Sequence, residues 1–294
     1  MAEADKRSTN VLFREWRGGD AMAGQVMAQR FADWYYAIST SRLGESRGRQ
    51  PCEDACARFG EGIVNVSDAR GLVPWAHDIV KEELAKAGNR IADGNEPNAY
   101  TGNQAPKALL YLAREALPTE LEILELTYGG KATPEQIDQV AAPLGGNPMG
   151  VLHARYAAKR WMRDNANVPF EVAPDKPILD RAPLPLYESD RMATPEEEVG
   201  FEHWMISDID LCKDIAEFAH FAIALRGGLP TAEEYAASIK NAPNAAANTG
   251  ANGVESSGVG AAAAVGGGAL VLVAGVAVVF VVIAALVGAY MFLM

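Results

Sequence analysis

Histidine and cysteine are scarce in this chain, with four and three copies among 294 residues. Cys52 and Cys56 form a Cys-x-x-x-Cys pair whose only further partner is the distant Cys212, which is no disulfide framework and suits a reducing compartment. His77, His153, His203 and His220 fall at no zinc-ligand spacing, so neither a metal nor a cofactor is expected. Also missing are a nucleophile elbow, a phosphate loop and a metal-binding helix spacing, which argues against an enzyme. Asp208 and Asp210 stand two apart, on different faces of a helix, and read as solvated surface. No alternation of period two runs long enough to argue for a sheet, so the fold class expected is all-α. Met1 to Asn10 is polar and charged, so no signal peptide is expected.

Charge is present but uneven. The formal net charge is −12. Residues 1–165 hold 20 basic and 22 acidic side chains, a net of −2, whereas residues 166–243 hold 6 and 15, a net of −9. Glu255 supplies the remainder. An acidic segment beside a basic helix invites intramolecular masking, although acidity also serves plain solubility.

The basic helix is the strongest local signal. Leu117-Pro118 ends what precedes, and a helix follows with Leu121, Leu124 and Tyr128 on one side until Gly129-Gly130 stops it. Thr133-Pro134-Glu135-Gln136 supplies an N-cap, a proline at the first helical position and a capping-box glutamine. Pro143-Leu144-Gly145-Gly146 turns the chain, and Asn147-Pro148 opens the last helix. On a wheel of about 100° per residue, Val151, Ala154, Ala158, Trp161 and Met162 share an apolar face. Arg155, Lys159 and Arg163 lie four apart on another, with Arg160 beside them. One apolar and one basic face behind a short capped helix is the pattern of a helix-turn-helix suited to a phosphate backbone. A three-helix bundle with a solvated basic face has the same pattern.

Five regions emerge. Residues 10–95 read as a helical domain, with Val26, Met27, Phe31, Trp34, Tyr35 and Ile38, and later Trp75, Ile79, Val80 and Leu84, at helical spacing. Residues 107–165 form the trihelical unit, after a Gly- and Asn-rich linker across 88–107. Residues 166–243 comprise a proline-rich stretch, Val168 to Pro195, expected to be extended, then an acidic helical extension reaching Arg226 and a short helix from Thr231 to Lys240. Residues 244–268 make a flexible tether. Ala269 to Met294 is 26 residues without a charge, enough at about 1.5 Å each to cross a ~30 Å hydrocarbon core as a single transmembrane helix. The expected placement is a single-pass protein of the cell inner membrane with its bulk in the cytoplasm.

The order of parts resembles a sigma-70-type RNA polymerase sigma factor of the extracytoplasmic-function kind, over roughly residues 10–165. Leu12-Phe13-Arg14-Glu15-Trp16-Arg17-Gly18-Gly19-Asp20, then Phe31, Trp34-Tyr35 and Leu43-Gly44, are similar to the start of that family's second region. Trp75 and Ile79 match its promoter-opening helix. Leu117-Pro118, Leu124-Glu125-Leu126, Glu135, Ile137, Leu144-Gly145, Val151, Ala158, Lys159-Arg160, Met162 and Arg163 resemble the fourth region. The resemblance implies polymerase-core binding through Glu53, Asp54 and Phe59, and DNA contact through Arg155, Lys159, Arg160 and Arg163. It departs at Ala57, where the family has Gln, and at Phe59, which comes one residue early. Leu152, His153 and Ala154 replace groups that face the bases, so any DNA contact is expected to be weak and directed to phosphates.

Two functions follow as expectations. One is a membrane-tethered, sigma-like transcription regulator that its own acidic extension, or a separate anti-sigma partner, holds inactive. The other is a membrane-anchored interaction module that keeps the sigma frame without DNA binding. In the first, Trp204, Ile209, Ile215, Phe218 and Phe221 would pack in cis on the sigma-like helices.

Overall fold

A computed structural model describes residues 5–88, 106–166, 168, 170 and 181–241, with side chains to residue 237. Among these residues the chain is all-helical and holds no strand.

The first unit is built from three helices. The Ser8 hydroxyl accepts from the Val11 N–H at 3.4 Å and starts α1 (Thr9–Arg17), which turns Leu12, Phe13 and Trp16 inward. Asp20 caps α2 (Ala21–Gly62), accepting from the N–H groups of Met22 and Ala23. Gly44 breaks α2 into two arms, at φ 75° and ψ 170°, a conformation that glycine takes without a Cβ penalty. The arms run back along each other. Phe31 meets Phe59 at 4.4 Å between ring centroids, and a Cβ at Gly48 would stand 2.6 Å from the Ser39 carbonyl oxygen. Capped by Asp68, α3 (Ala69–Ala87) closes the unit, and Ala76 accepts a 3.0 Å hydrogen bond from the Tyr35 hydroxyl.

The second unit holds α4 (Pro106–Ala116), α5 (Pro118–Tyr128), α6 (Pro134–Ala141) and α7 (Met149–Ala166). The capping box at α6 is complete: Thr133 Oγ1 accepts from the Gln136 N–H at 3.3 Å, and Gln136 Oε1 accepts from the Thr133 N–H at 2.8 Å. Val151, Ala154, Ala158 and Met162 of α7 pack against Leu121, Leu124, Tyr128 and Ile137.

The remainder forms α8 (Leu184–Glu188), α9 (Pro195–Met205), α10 (Ile209–Arg226) and α11 (Ala232–Asn241). One feature differs from the sequence reading. The proline-rich stretch is not wholly extended, because Pro185 sits in the first turn of α8, where its missing N–H costs nothing. The acidic helical region, as expected, reaches Arg226, and it does so as two helices. Ile206 and Ser207 turn, and Asp208 re-caps the chain by accepting from the Leu211 N–H at 3.0 Å.

α10 joins the two units. Its Leu211, Cys212 and Ile215 enter the first interior, with Leu184, Tyr187, Phe201, Met205 and Ile206 beside them. Phe218, Phe221, Ala222 and Leu225 enter the second. Burying a phenylalanine such as Phe218 is worth about 1.5–3 kcal/mol, so the attachment is strong on both sides. Among the described residues no helix is long and apolar enough to cross a membrane. The expected tether, 244–268, and span, 269–294, lie outside those residues, as does most of the linker expected across 88–107.

Candidate functional site

Two of the four cations on the basic face of α7, Arg155 and Lys159, are covered by the acidic extension. Arg155 is wholly buried. It holds Glu188 of α8 in a fork, Nε to Oε2 at 2.9 Å and Nη2 to Oε1 at 2.7 Å. Its Nη1 donates to Asp214 Oδ2 at 2.7 Å, and Nη2 also reaches the Asp214 carbonyl at 3.1 Å. The guanidinium lies 4.5 Å from the Phe218 ring centroid, a cation–π contact in a dry setting. Lys159, buried as fully, donates to Asp214 Oδ1 at 2.5 Å and to Glu217 Oε2 at 2.8 Å. Arg181 adds a third cation, 3.0 Å from Asp214 Oδ2. The hydroxyls of Tyr128 and Tyr156 donate to Glu188 Oε2 at 2.5 Å and to Asp214 Oδ2 at 3.2 Å.

Three cations therefore meet three carboxylates. Burial alone would raise the Asp214 carboxyl, but Arg155, Lys159 and Arg181 outweigh it and hold its pKa at about 2. Burial likewise disfavours the charged form of Arg155, yet Asp214 and Glu188 lift its pKa well above the usual value. Tyr128 is pushed well up by burial and by the charge of Glu188, so its hydroxyl stays a donor.

Arg155 and Lys159 were expected at a phosphate backbone. In this arrangement they face protein and no surface is left for them to offer. Leu152 and Tyr156 share the covered face, with Leu152 fully buried. Arg160 and Arg163 remain exposed, Arg163 beside Asp164 at 2.8 Å. The residues missed from sequence are Glu188, Asp214 and Glu217. The signal that would have found them is an acidic pair three apart on α10, next to Phe218, facing two cations four apart on α7.

A second buried carboxylate ties the extension to the first unit. Glu202 of α9 receives Arg42 Nη2 at 2.5 Å, His77 Nε2 lies 2.6 Å away, and the Tyr187 hydroxyl donates at 2.8 Å. The Trp34 indole N–H donates to the Glu202 carbonyl at 2.6 Å. Burial opposes the Glu202 charge, but His77 and Arg42 together hold its pKa at about 2. His203 stands edge-on to His77, 4.8 Å between centroids, and burial lowers its pKa. Further along, His220 on α10 pairs with Glu45 at 2.8 Å.

The three residues expected to bind polymerase separate. Glu53 and Asp54 reach solvent from the second arm of α2, where Arg49 pairs with Glu53 at 2.9 Å and the Gln50 amide donates to Asp54 at 2.9 Å. Phe59 is buried in a ring cluster with Phe31, Tyr35 and Trp75, so it is a core residue here and offers no contact surface. Its helical spacing to Ala55 and Cys56, both buried, was the signal for that.

Among the described residues no group of three or more His, Cys, Asp or Glu side chains is placed to hold a metal ion. Cys52, Cys56 and Cys212 are free and buried. Compared with known proteins, the chain matches no family model, no curated protein and no solved structure.

Proposed function

We propose that this chain is a membrane-tethered, sigma-like transcription regulator kept off promoter DNA by its own acidic extension. The observation that carries the reading is the burial of Arg155 and Lys159 against Glu188, Asp214 and Glu217. These are two of the three α7 cations spaced four apart, and carboxylates of the same chain occupy them. Polymerase core is the proposed partner, met through the half-buried Glu53 and the exposed Asp54. Residues 269–294 would anchor the assembly to the inner membrane, leaving residues 5–241 in the cytoplasm.

The test is a gel-shift salt series on the full chain in lipid nanodiscs. Wild type should show little DNA binding. The double variant Asp214→Asn with Glu188→Gln removes two counter-charges from α7, and it should bind DNA with affinity that falls steeply as salt rises. No binding by either protein, at any salt, sinks the DNA half of the proposal.

One observation favours a second reading. Leu152 and Tyr156 continue the covered face with non-basic groups, so that face is suited to packing on protein. On this reading the chain is a membrane-anchored interaction module on a sigma frame. Polymerase captured by both proteins, with DNA bound by neither, selects it.

A further inference from the structure

A cleft of about 780 Å³ opens along the seam between the second unit and the extension. Ile137 of α6 lines it on one side, and Leu186 of α8 with Phe201 and Trp204 of α9 on the other. Its size falls in the range of small-molecule sites, and its walls are apolar in the usual manner of such sites. Two charged groups line it, Arg191 and Glu197. They are not equivalent. Glu197 is exposed, and its Oε2 already accepts from the Ala193 N–H at 3.2 Å in the capping turn of α9. Arg191 is half-buried, and its guanidinium donates to main-chain carbonyls, those of Thr127 at 3.3 Å and Ala132 at 3.0 Å. Among the described residues no carboxylate forms an ion pair with it, in a molecule whose formal net charge is −12.

We infer that this seam cleft binds a small apolar carboxylate, with its hydrocarbon or aryl body against Phe201 and Trp204 and its anionic head at Arg191. The aromatic walls fit a flat body, and a charge-assisted hydrogen bond completes the unpaired guanidinium. Because the walls come from both sides of the seam, a bound molecule touches both only while α7 is covered. It therefore favours the closed arrangement by mass action. The consequence for DNA rests on the proposed function; the binding itself does not.

The experiment follows heat unfolding of the full chain in nanodiscs, without DNA, against phenylbutyrate, phenylbutanol and phenylbutylamine. The acid should raise the midpoint saturably, the alcohol should bind about tenfold more weakly or worse, and the amine should give no shift. Arg191→Gln should erase the preference for acid over alcohol. Leu186→Trp, at a position 44% exposed at the cleft, should block both probes and leave the unliganded midpoint near wild type. Equal binding of acid and alcohol to wild type overturns the role of Arg191. No saturable shift, or unchanged binding to the Leu186→Trp protein, overturns the site. If Arg191→Gln fails to fold, the probe series on wild type and the Leu186→Trp protein still decide the matter. DNA-binding assays are separate, so failure of the regulatory reading would leave these outcomes interpretable.

Discussion

The extension grips its two neighbours by unlike means. On the first unit, Glu202 collects an arginine, a histidine and a tyrosine at one carboxylate, and the indole of Trp34 takes its carbonyl. On the second unit, two carboxylates from α8 and α10 share Arg155, while Asp214 also serves Lys159 and Arg181. The first is a single anion in a polar nest. The second is a lattice centred on Asp214, which meets three cations, while Arg155 and Lys159 each reach a further carboxylate, Glu188 and Glu217. A carboxylate with several cations around it tolerates burial better than an isolated pair, because its desolvation is offset more than once. The second anchor is thus more sensitive to loss of its shared member, Asp214.

The largest expected effect tests that asymmetry. Asp214→Ala leaves Arg155, Lys159 and Arg181 crowded without their shared counter-charge, and should cost about 3–5 kcal/mol in denaturant unfolding. Glu202→Gln keeps the shape and some hydrogen bonds, and should cost less, about 2–3 kcal/mol. A reversed order would break the comparison.

Acid sharpens it. Asp214 and Glu202 both have folded pKa values near 2, below their usual range. A depressed carboxylate contributes stability that is complete above its unfolded pKa, about 4, and is lost as pH falls through about 2. Each is worth on the order of 2–3 kcal/mol by this linkage. Stability should therefore fall steeply below about pH 4, and Asp214→Asn or Glu202→Gln should each flatten that limb.

Smaller effects discriminate further. Trp34→Phe removes one buried donor from the Glu202 carbonyl and should cost about 1 kcal/mol, with no change in the acid limb. Glu53→Ala removes only an i,i+4 pair with Arg49 and should move stability by less than about 0.5 kcal/mol. Polymerase capture by that variant should nonetheless fall if the proposed contact is right.

Much of the helical frame was readable from local chemistry. Thr133 and Gln136 announced α6, and the apolar face of α7 fell where the wheel put Val151, Ala154, Ala158 and Met162. Gly44 was harder, because a single glycine within a helical pattern does not declare a reversal; the contacts of Phe31 with Phe59 and of Gly48 with Ser39 reveal it. The site was half legible. The charge imbalance of residues 166–243 was compatible with masking and with plain solubility alike, and a basic stripe looks the same whether water, phosphate or carboxylate lies over it. The partner of Arg155 is set by how α8 and α10 come together in space, which residue spacing within α7 does not encode.

One consequence of the shared helix α10 concerns heat. Since Ile215 belongs to one interior and Phe218 to the other, melting either half strips a wall from its neighbour. The two units should give one endotherm in a calorimeter, with matching van't Hoff and measured enthalpies, as a single cooperative block does.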